Sequence, residues 1–208
     1  MQKCQEILNE GLNALDLLVT QAQQKKLIAF IALIEKWNKA YNLTAIRNPE
    51  QMVRLHLLDS LAIANYIQGP KVLDIGTGAG LPGIPLALIY PDYSFVLLDS
   101  NSKKTRFVQQ AVIELGLKNV TVWHGRIEHY QPTIYFNSIV SRAFSSVQSF
   151  VSVASERLSS GGVLLAMKGR HPDKELQQID NDFSVIPIMV PGVDAERCLV
   201  QLHKVKST

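Results

Sequence analysis

The chain has 208 residues, 47% of them apolar and 19% charged. That balance excludes a disordered or coiled-coil protein and allows a core without disulfide or metal staples. Lys and Arg number 21 against 18 Asp and Glu, seven to six over residues 1–70, seven to five over 71–142 and seven to seven over 143–208. No segment is therefore a basic arm, and any phosphate-binding face must come from clustering in three dimensions.

The first residues carry no apolar signal core, because Glu6, Glu10 and Asp16 interrupt it. The longest uncharged apolar run, residues 75–91, is broken by glycines and prolines and is shorter than the roughly 20 residues of a membrane span. A cytoplasmic protein is the expectation. Cys4 and Cys198 stand far apart with no CxxC, and His56 and His171 lack ligand spacing. A disulfide framework and a metal site are thus not expected, and a reducing compartment is.

Residues 1–68 read as a helical extension. Leu12, Leu15, Leu18 and Val19 recur at helical spacing, as do Leu27, Phe30, Ile31, Ile34 and Trp37. Trp37 and Tyr41, four apart, read as core rather than as a stacking platform. Residues 42–48 have loop composition, and Asn48-Pro49-Glu50 starts another helix. Gln68-Gly69-Pro70 is a breaker, so a second unit is expected over residues 69–208.

From residue 71 the pattern changes to short apolar runs alternating with helices. Strands are expected at 71–75, 94–98, 119–123, 138–141, 162–167, 185–190 and 198–204, with helices at 85–89, 103–115, 147–158 and 173–180. Alternation of this kind gives an α/β fold, a mostly parallel seven-stranded sheet covered on both faces. Pro187 makes the sixth strand an edge strand or a broken one, and Pro191-Gly192 joins the last two as a hairpin.

The sharpest signal is Val72-Leu73-Asp74-Ile75-Gly76-Thr77-Gly78-Ala79-Gly80, a strand running into glycines and then a helix. Glycines suit a tight turn that a ligand must approach closely. The spacing is G-x-G-x-G rather than the dinucleotide pattern G-x-G-x-x-G, and an acid precedes it. A carboxylate there repels a pyrophosphate but suits an ammonium group, met directly or through water, so Asp74 favours a ligand with an amino-acid end. The plainer alternative is a purely structural turn. Asp99 lies 19 residues after Gly80 at the end of the second strand, where a carboxylate takes ribose hydroxyls. S-adenosylmethionine has both an amino-acid end and a ribose. Gly78 of the loop and Ser100 next to Asp99 join the expected cofactor site.

Four blocks then carry a family resemblance: Trp37-Asn38-Lys39-Ala40-Tyr41-Asn42-Leu43-Thr44, His56-Leu57-Leu58-Asp59-Ser60, residues 74–85 and Ser141-Arg142-Ala143-Phe144. Leu97-Leu98-Asp99-Ser100 with Lys103-Lys104, and Lys168-Gly169, add to them. From about residue 25 onward the chain resembles class I, Rossmann-like S-adenosylmethionine-dependent methyltransferases. Within them it resembles the bacterial 16S rRNA (guanine-N7) methyltransferase G family, also called glucose-inhibited division protein B. The resemblance implies cofactor contacts at Gly76, Leu81, Asp99, Ile127, Glu128 and Arg142, with adenine near Ile127 and Glu128. It further implies that the substrate is a guanine in the decoding-region loop of 16S rRNA, free or in a small-subunit particle. Asn137 stands where the family often has Asp.

The chemistry fits that implication. The element after the fourth strand, Ser141-Arg142-Ala143-Phe144, is not the Asn/Asp-Pro-Pro-aromatic element common in base amino-group methylation, and neither cysteine is placed for pyrimidine C5 chemistry. Guanine N7 carries a free lone pair and no proton, so orientation suffices and no single catalytic residue is assigned. Arg142 suits guanine O6 as well as the cofactor, and Phe144 suits either a flipped base or the core. Lys103, Lys104, Arg106, Lys168 and Arg170 form an expected phosphate rim, Lys168 and Arg170 being assigned to substrate; each also reads as ordinary surface charge. A monomer is expected. The alternatives are a nicotinamide dehydrogenase, disfavoured by Asp74 and the glycine spacing, a small-molecule or other-RNA methyltransferase, and a non-catalytic RNA-binding assembly factor.

Overall fold

A computed structural model describes residues 1–144, 146–177, 179 and 182–203. Helices α1 (Gln2–Ala14) and α2 (Gln21–Tyr41) open the chain. Thr20 and Gln23 form a capping box at the start of α2, and Asn42 ends it in the left-handed conformation. The helical stripe expected through Leu18 is interrupted. Helix α1 stops at Ala14, Asp16 turns with φ 52°, and Leu18 lies fully exposed between the two helices. A third helical segment runs as α3 (Pro49–Met52), a π-helical stretch (Val53–Leu58) and α4 (Asp59–Leu61), with Asn48 as the N-cap and Pro49 at its first position.

The sheet has the order β3-β2-β1-β4-β5-β7-β6. Its strands are β1 (Lys71–Ile75), β2 (Ser94–Asp99), β3 (Val120–His124), β4 (Phe136–Ser141), β5 (Leu158–Lys168), β6 (Phe183–Pro187) and β7 (Cys198–His203). Strands β1 to β5 run parallel, and β7 inserts antiparallel between β5 and β6. Strand order reverses between β1 and β4, which opens a crevice at their carboxyl ends. Pro187 closes an edge strand, where its missing N–H costs no ladder bond. The sixth strand begins earlier than its apolar run because pairing with β7 sets its register, Pro187 opposite Cys198. Asn137 lies within β4 and accepts a hydrogen bond from the Lys71 amide at 3.0 Å, a bond between strands.

The helices of the sheet region are α5 (Gly83–Ile89), α6 (Ser102–Glu114), α7 (Val147–Ala154) and α8 (Asp173–Leu176). The helix expected at 147–158 ends early, because Ser155–Arg157 tightens into a 3₁₀ turn that leads into the long β5. Residues 178 and 180 of the expected helix 173–180, and residue 204 of the last strand, lie outside the described residues.

Alternation along β1 divides the core. Val72 faces a cluster shared by the N-terminal helices, α5 and α6, whereas Leu73 and Ile75 face the cluster under α7. Trp37 packs against Tyr41 and edge-on against Phe107 of α6, with centroids 5.1 and 5.8 Å away. The first helices therefore share one core with a face of the sheet, and this fixes the third helical segment beside the carboxyl ends of β4 and β5.

Candidate active site

The glycine loop is held from below. The amides of Gly76 and Thr77 donate to the Leu98 carbonyl at 2.8 and 3.0 Å. Gly76 has φ +72°, and a Cβ there would lie 2.8 Å from Cβ of Ala143, so glycine is required on two counts. Asp99 Oδ2 accepts from the Gly78 amide and Oδ1 from the Asn101 amide, both at 2.8 Å. The carboxylate is thereby fixed in direction and still has lone pairs for a diol.

Asp74 does not open directly onto the cleft. It is completely buried. Its Oδ2 accepts from Thr77 Oγ1 at 2.6 Å and from the Gly83 amide at 2.9 Å, while Oδ1 meets no protein donor. The carboxylate ties the loop to the start of α5 and does not line the cleft in front of it. Burial pushes its pKa up to about 7, against the two hydrogen bonds and the nearby Arg142, which pull it down.

Two clefts open at this edge. The first, about 350 Å³, is lined by Gly76, Asp99, Ser100, Ile127, Glu128 and Phe144 among others. Six of the expected residues thus meet in one place: a glycine without a side chain, a fixed carboxylate, an apolar wall and an exposed acid. Phe144 lines the cleft and packs on Phe150 with centroids 5.3 Å apart. Gly78, Leu81 and Arg142 do not line this cleft. The Gly78 amide is taken by Asp99, and Leu81 is buried in the core behind the loop.

Arg142 lines the second cleft, about 410 Å³, together with Leu55, His56, Asp59, Lys168 and Arg197. Its Nη1 donates to Asp59 Oδ2 at 3.1 Å and to the Leu55 carbonyl at 3.4 Å. Arg197 Nε donates to the other oxygen, Asp59 Oδ1, at 2.9 Å. One buried carboxylate therefore holds two guanidinium groups. His56 is buried between the Leu55 carbonyl and Thr44 Oγ1, each 3.0 Å from a ring nitrogen. Burial and then Arg142 lower its pKa to about 4, so the ring is neutral at pH 7.

The expected phosphate rim is spread around these clefts. Lys168 Nζ pairs with Glu175 Oε2 at 2.8 Å and donates to the Phe144 carbonyl at 3.2 Å, which engages it internally. Exposed Arg170 shares a small groove with Arg197. Lys103 stands exposed and Lys104 half-buried on the first turn of α6, and Arg106 lines a separate groove with His124. Asp59 and Arg197 are site residues that spacing alone does not single out. The one available signal is that Asp59 belongs to the His56–Ser60 block.

Among the described residues there is no group of three His, Cys, Asp or Glu able to hold a metal ion. Nor, among them, is any helix long and apolar enough to cross a membrane.

Residues 23–199 match the family model described as rRNA small subunit methyltransferase G. Proteins named ribosomal RNA small subunit methyltransferase G are similar over nearly the whole chain. That of Nitrosococcus oceani is 48% identical over 202 residues, 96% of this chain and 94% of the relative. That of Pseudomonas syringae pv. syringae is 46% identical over 206 residues, 98% and 96% of the two chains. Among solved structures, a glycopeptide N-methyltransferase in complex with S-adenosyl-L-homocysteine aligns with TM-score 0.59 at 13% identity, covering 72% of this chain and 87% of that one. A precorrin-6y C5,15-methyltransferase from Geobacter metallireducens aligns with TM-score 0.54 at 16% identity, covering 74% and 89%. At such identities these two likenesses speak for the fold alone, the class I methyltransferase fold.

Proposed function

This chain belongs to the rRNA small subunit methyltransferase G family and is an S-adenosylmethionine-dependent rRNA methyltransferase; we propose that its target is the N7 of a guanine in the decoding-region loop of 16S rRNA. The observation that carries this reading is the pair of adjoining clefts. They meet at one short loop, where Ala143 and Phe144 line the first cleft and Arg142 the second.

The residues of the first cleft fit the cofactor. Asp99 takes the ribose hydroxyls, Ile127 flanks the adenine, Glu128 accepts from its amino group, and Gly76 leaves room for the amino-acid end. Once bound, the cofactor supplies a methyl group on a sulfonium sulfur, which guanine N7 takes with its free lone pair without losing a proton. The protein's own part is placement and charge. Arg142 stands where donor and acceptor face each other and directs N–H groups to the O6 edge of the base. The neutral His56, with both nitrogens engaged, is not needed as a base. Phe144 offers a face for the base at the mouth of the first cleft. Arg170, Lys103 and Lys104 hold RNA phosphates, and the enzyme acts as a monomer in the cytoplasm on the small-subunit RNA or its particle.

The test is methyl transfer from labelled S-adenosylmethionine to small ribosomal subunits lacking the modification, with nucleoside analysis of the digested RNA. 7-Methylguanosine at one site is the expected product. A methylated amino group, or no transfer to subunits or free rRNA, refutes the assignment.

A further inference from the structure

The second cleft carries a role that the cofactor does not absorb. Its polar lining comes from distant parts of the chain: Leu55, His56 and Asp59 from the third helical segment, Arg142 after β4, Lys168 at the end of β5, and Arg197 before β7. Asp59 sits at the junction. Its side chain is 6% exposed, and its two oxygens bind one guanidinium each, Arg142 at 3.1 Å and Arg197 at 2.9 Å. Those bonds, with the ones to the Leu55 and Glu196 carbonyls, use Nη1 of Arg142 and Nε and Nη1 of Arg197. Among the described residues, Nη2 of each arginine remains for a ligand. Lys168 on the same wall is matched by Glu175, so two guanidinium groups against the one Asp59 carboxylate leave one positive charge in excess, with His56 neutral. Such a wall selects a ligand edge made of acceptors. Guanine presents O6 on such an edge, an acceptor that arginine commonly takes, beside an N7 whose lone pair stays free for the methyl group.

We propose that this cleft receives the acceptor guanine and that Asp59 is a positioning residue for methyl transfer, holding the forks of Arg142 and Arg197 side by side toward the O6 edge. The inference rests on the rRNA-guanine reading above. Preorganisation is the physical content. Two unrestrained arginines repel each other and sample many rotamers, whereas a shared carboxylate fixes both before the base arrives. The π-helical stretch Val53–Leu58 directly precedes Asp59, and irregular turns of this kind place side chains where a regular helix does not. The N-terminal helices thus act in catalysis through the carboxylate they deliver.

The experiment compares wild type, Asp59→Asn and Arg197→Lys on small subunits lacking the modification. It records kcat and KM, S-adenosylhomocysteine affinity by calorimetry, and the melting temperature. Asp59→Asn keeps the shape and removes the charge, and Arg197→Lys keeps the charge and removes the fork. Both are expected to lower kcat roughly ten- to a hundredfold while the S-adenosylhomocysteine affinity changes less than about threefold. Calorimetric stoichiometry counts the folded sites, so a loss of folded protein is corrected for in kcat. An unchanged kcat in folded Asp59→Asn overturns the inference, as does an equal loss of S-adenosylhomocysteine affinity, which would assign the cleft to the cofactor. A rise in KM alone, with a shallower salt dependence of RNA binding, would make the wall a phosphate contact and also overturns it. Wild type that makes no 7-methylguanosine defeats the functional reading itself, and is recognised as such because it does not depend on the variants.

Discussion

Asp74→Asn should change how stability depends on pH. In the wild type the carboxyl is completely buried, and its pKa is raised from 3.8 to about 7. The folded protein therefore binds a proton more tightly than the unfolded chain does. Stability is greatest below the unfolded value and falls as pH rises toward the folded one. Integrated between pH 5 and pH 8, that shift corresponds to a loss of about 3 kcal/mol, part of the penalty being already present at pH 5. Asparagine is isosteric, offers one oxygen to Thr77 Oγ1 and the Gly83 amide, and has nothing to ionise. The assay is urea unfolding of both proteins at pH 5 and pH 8. The quantity of interest is the difference between the two pH dependences, which cancels every other titrating group. The expectation is a wild type that loses about 3 kcal/mol more than the variant on going to pH 8. Equal pH dependence in the two proteins would mean that Asp74 ionises at its ordinary pKa. The account of a buried acid bracing the loop would then fail.

Gly76→Ala should weaken S-adenosylhomocysteine binding by more than tenfold on calorimetry, because the new Cβ meets Ala143 at 2.8 Å in a backbone of positive φ. Asp99→Ala removes the acceptor for the Gly78 and Asn101 amides and for the ribose, and should raise the Kd for S-adenosylhomocysteine about 10- to 100-fold. A Kd within twofold of wild type would show that the ribose lies elsewhere. His56→Gln should flatten the acid limb of stability. The folded pKa of His56 is lowered to about 4, so the wild type has its full contribution above pH 6.5 and loses it as pH falls toward 4. Melting temperatures at pH 7 and pH 4.5 read this, and the drop should be smaller in the variant.

Local sequence was enough for whatever depends on periodicity and turn chemistry. The β1–loop–α5 unit is legible because an apolar run, glycines at alternate positions and a following helix each have one local meaning. Asp99 is legible because the end of the second strand lies a fixed distance beyond the loop. The first-cleft residues Gly76, Asp99, Ile127, Glu128 and Phe144 were all within reach of motif and resemblance, and the fold brings them together. Strand ends and helix ends shift by a few residues, since pairing with a neighbour decides them, as β7 decides β6.

Asp74 shows the opposite case. Its position in the motif is plain from the sequence, but the direction of its carboxylate follows from burial beneath Gly83 and Thr77. The second cleft goes further. Asp59 is 83 residues from Arg142 and 138 from Arg197, separations at which no spacing rule operates. By itself the sequence determined an α/β sheet with a glycine loop and the two acids of its first strands, because strand, turn and helix preferences act over a few residues. Only the tertiary structure decided that the N-terminal helices share a core with α5 and α6. That packing carries Asp59 between two arginines, because burial and ion pairing depend on which distant surfaces are pressed together.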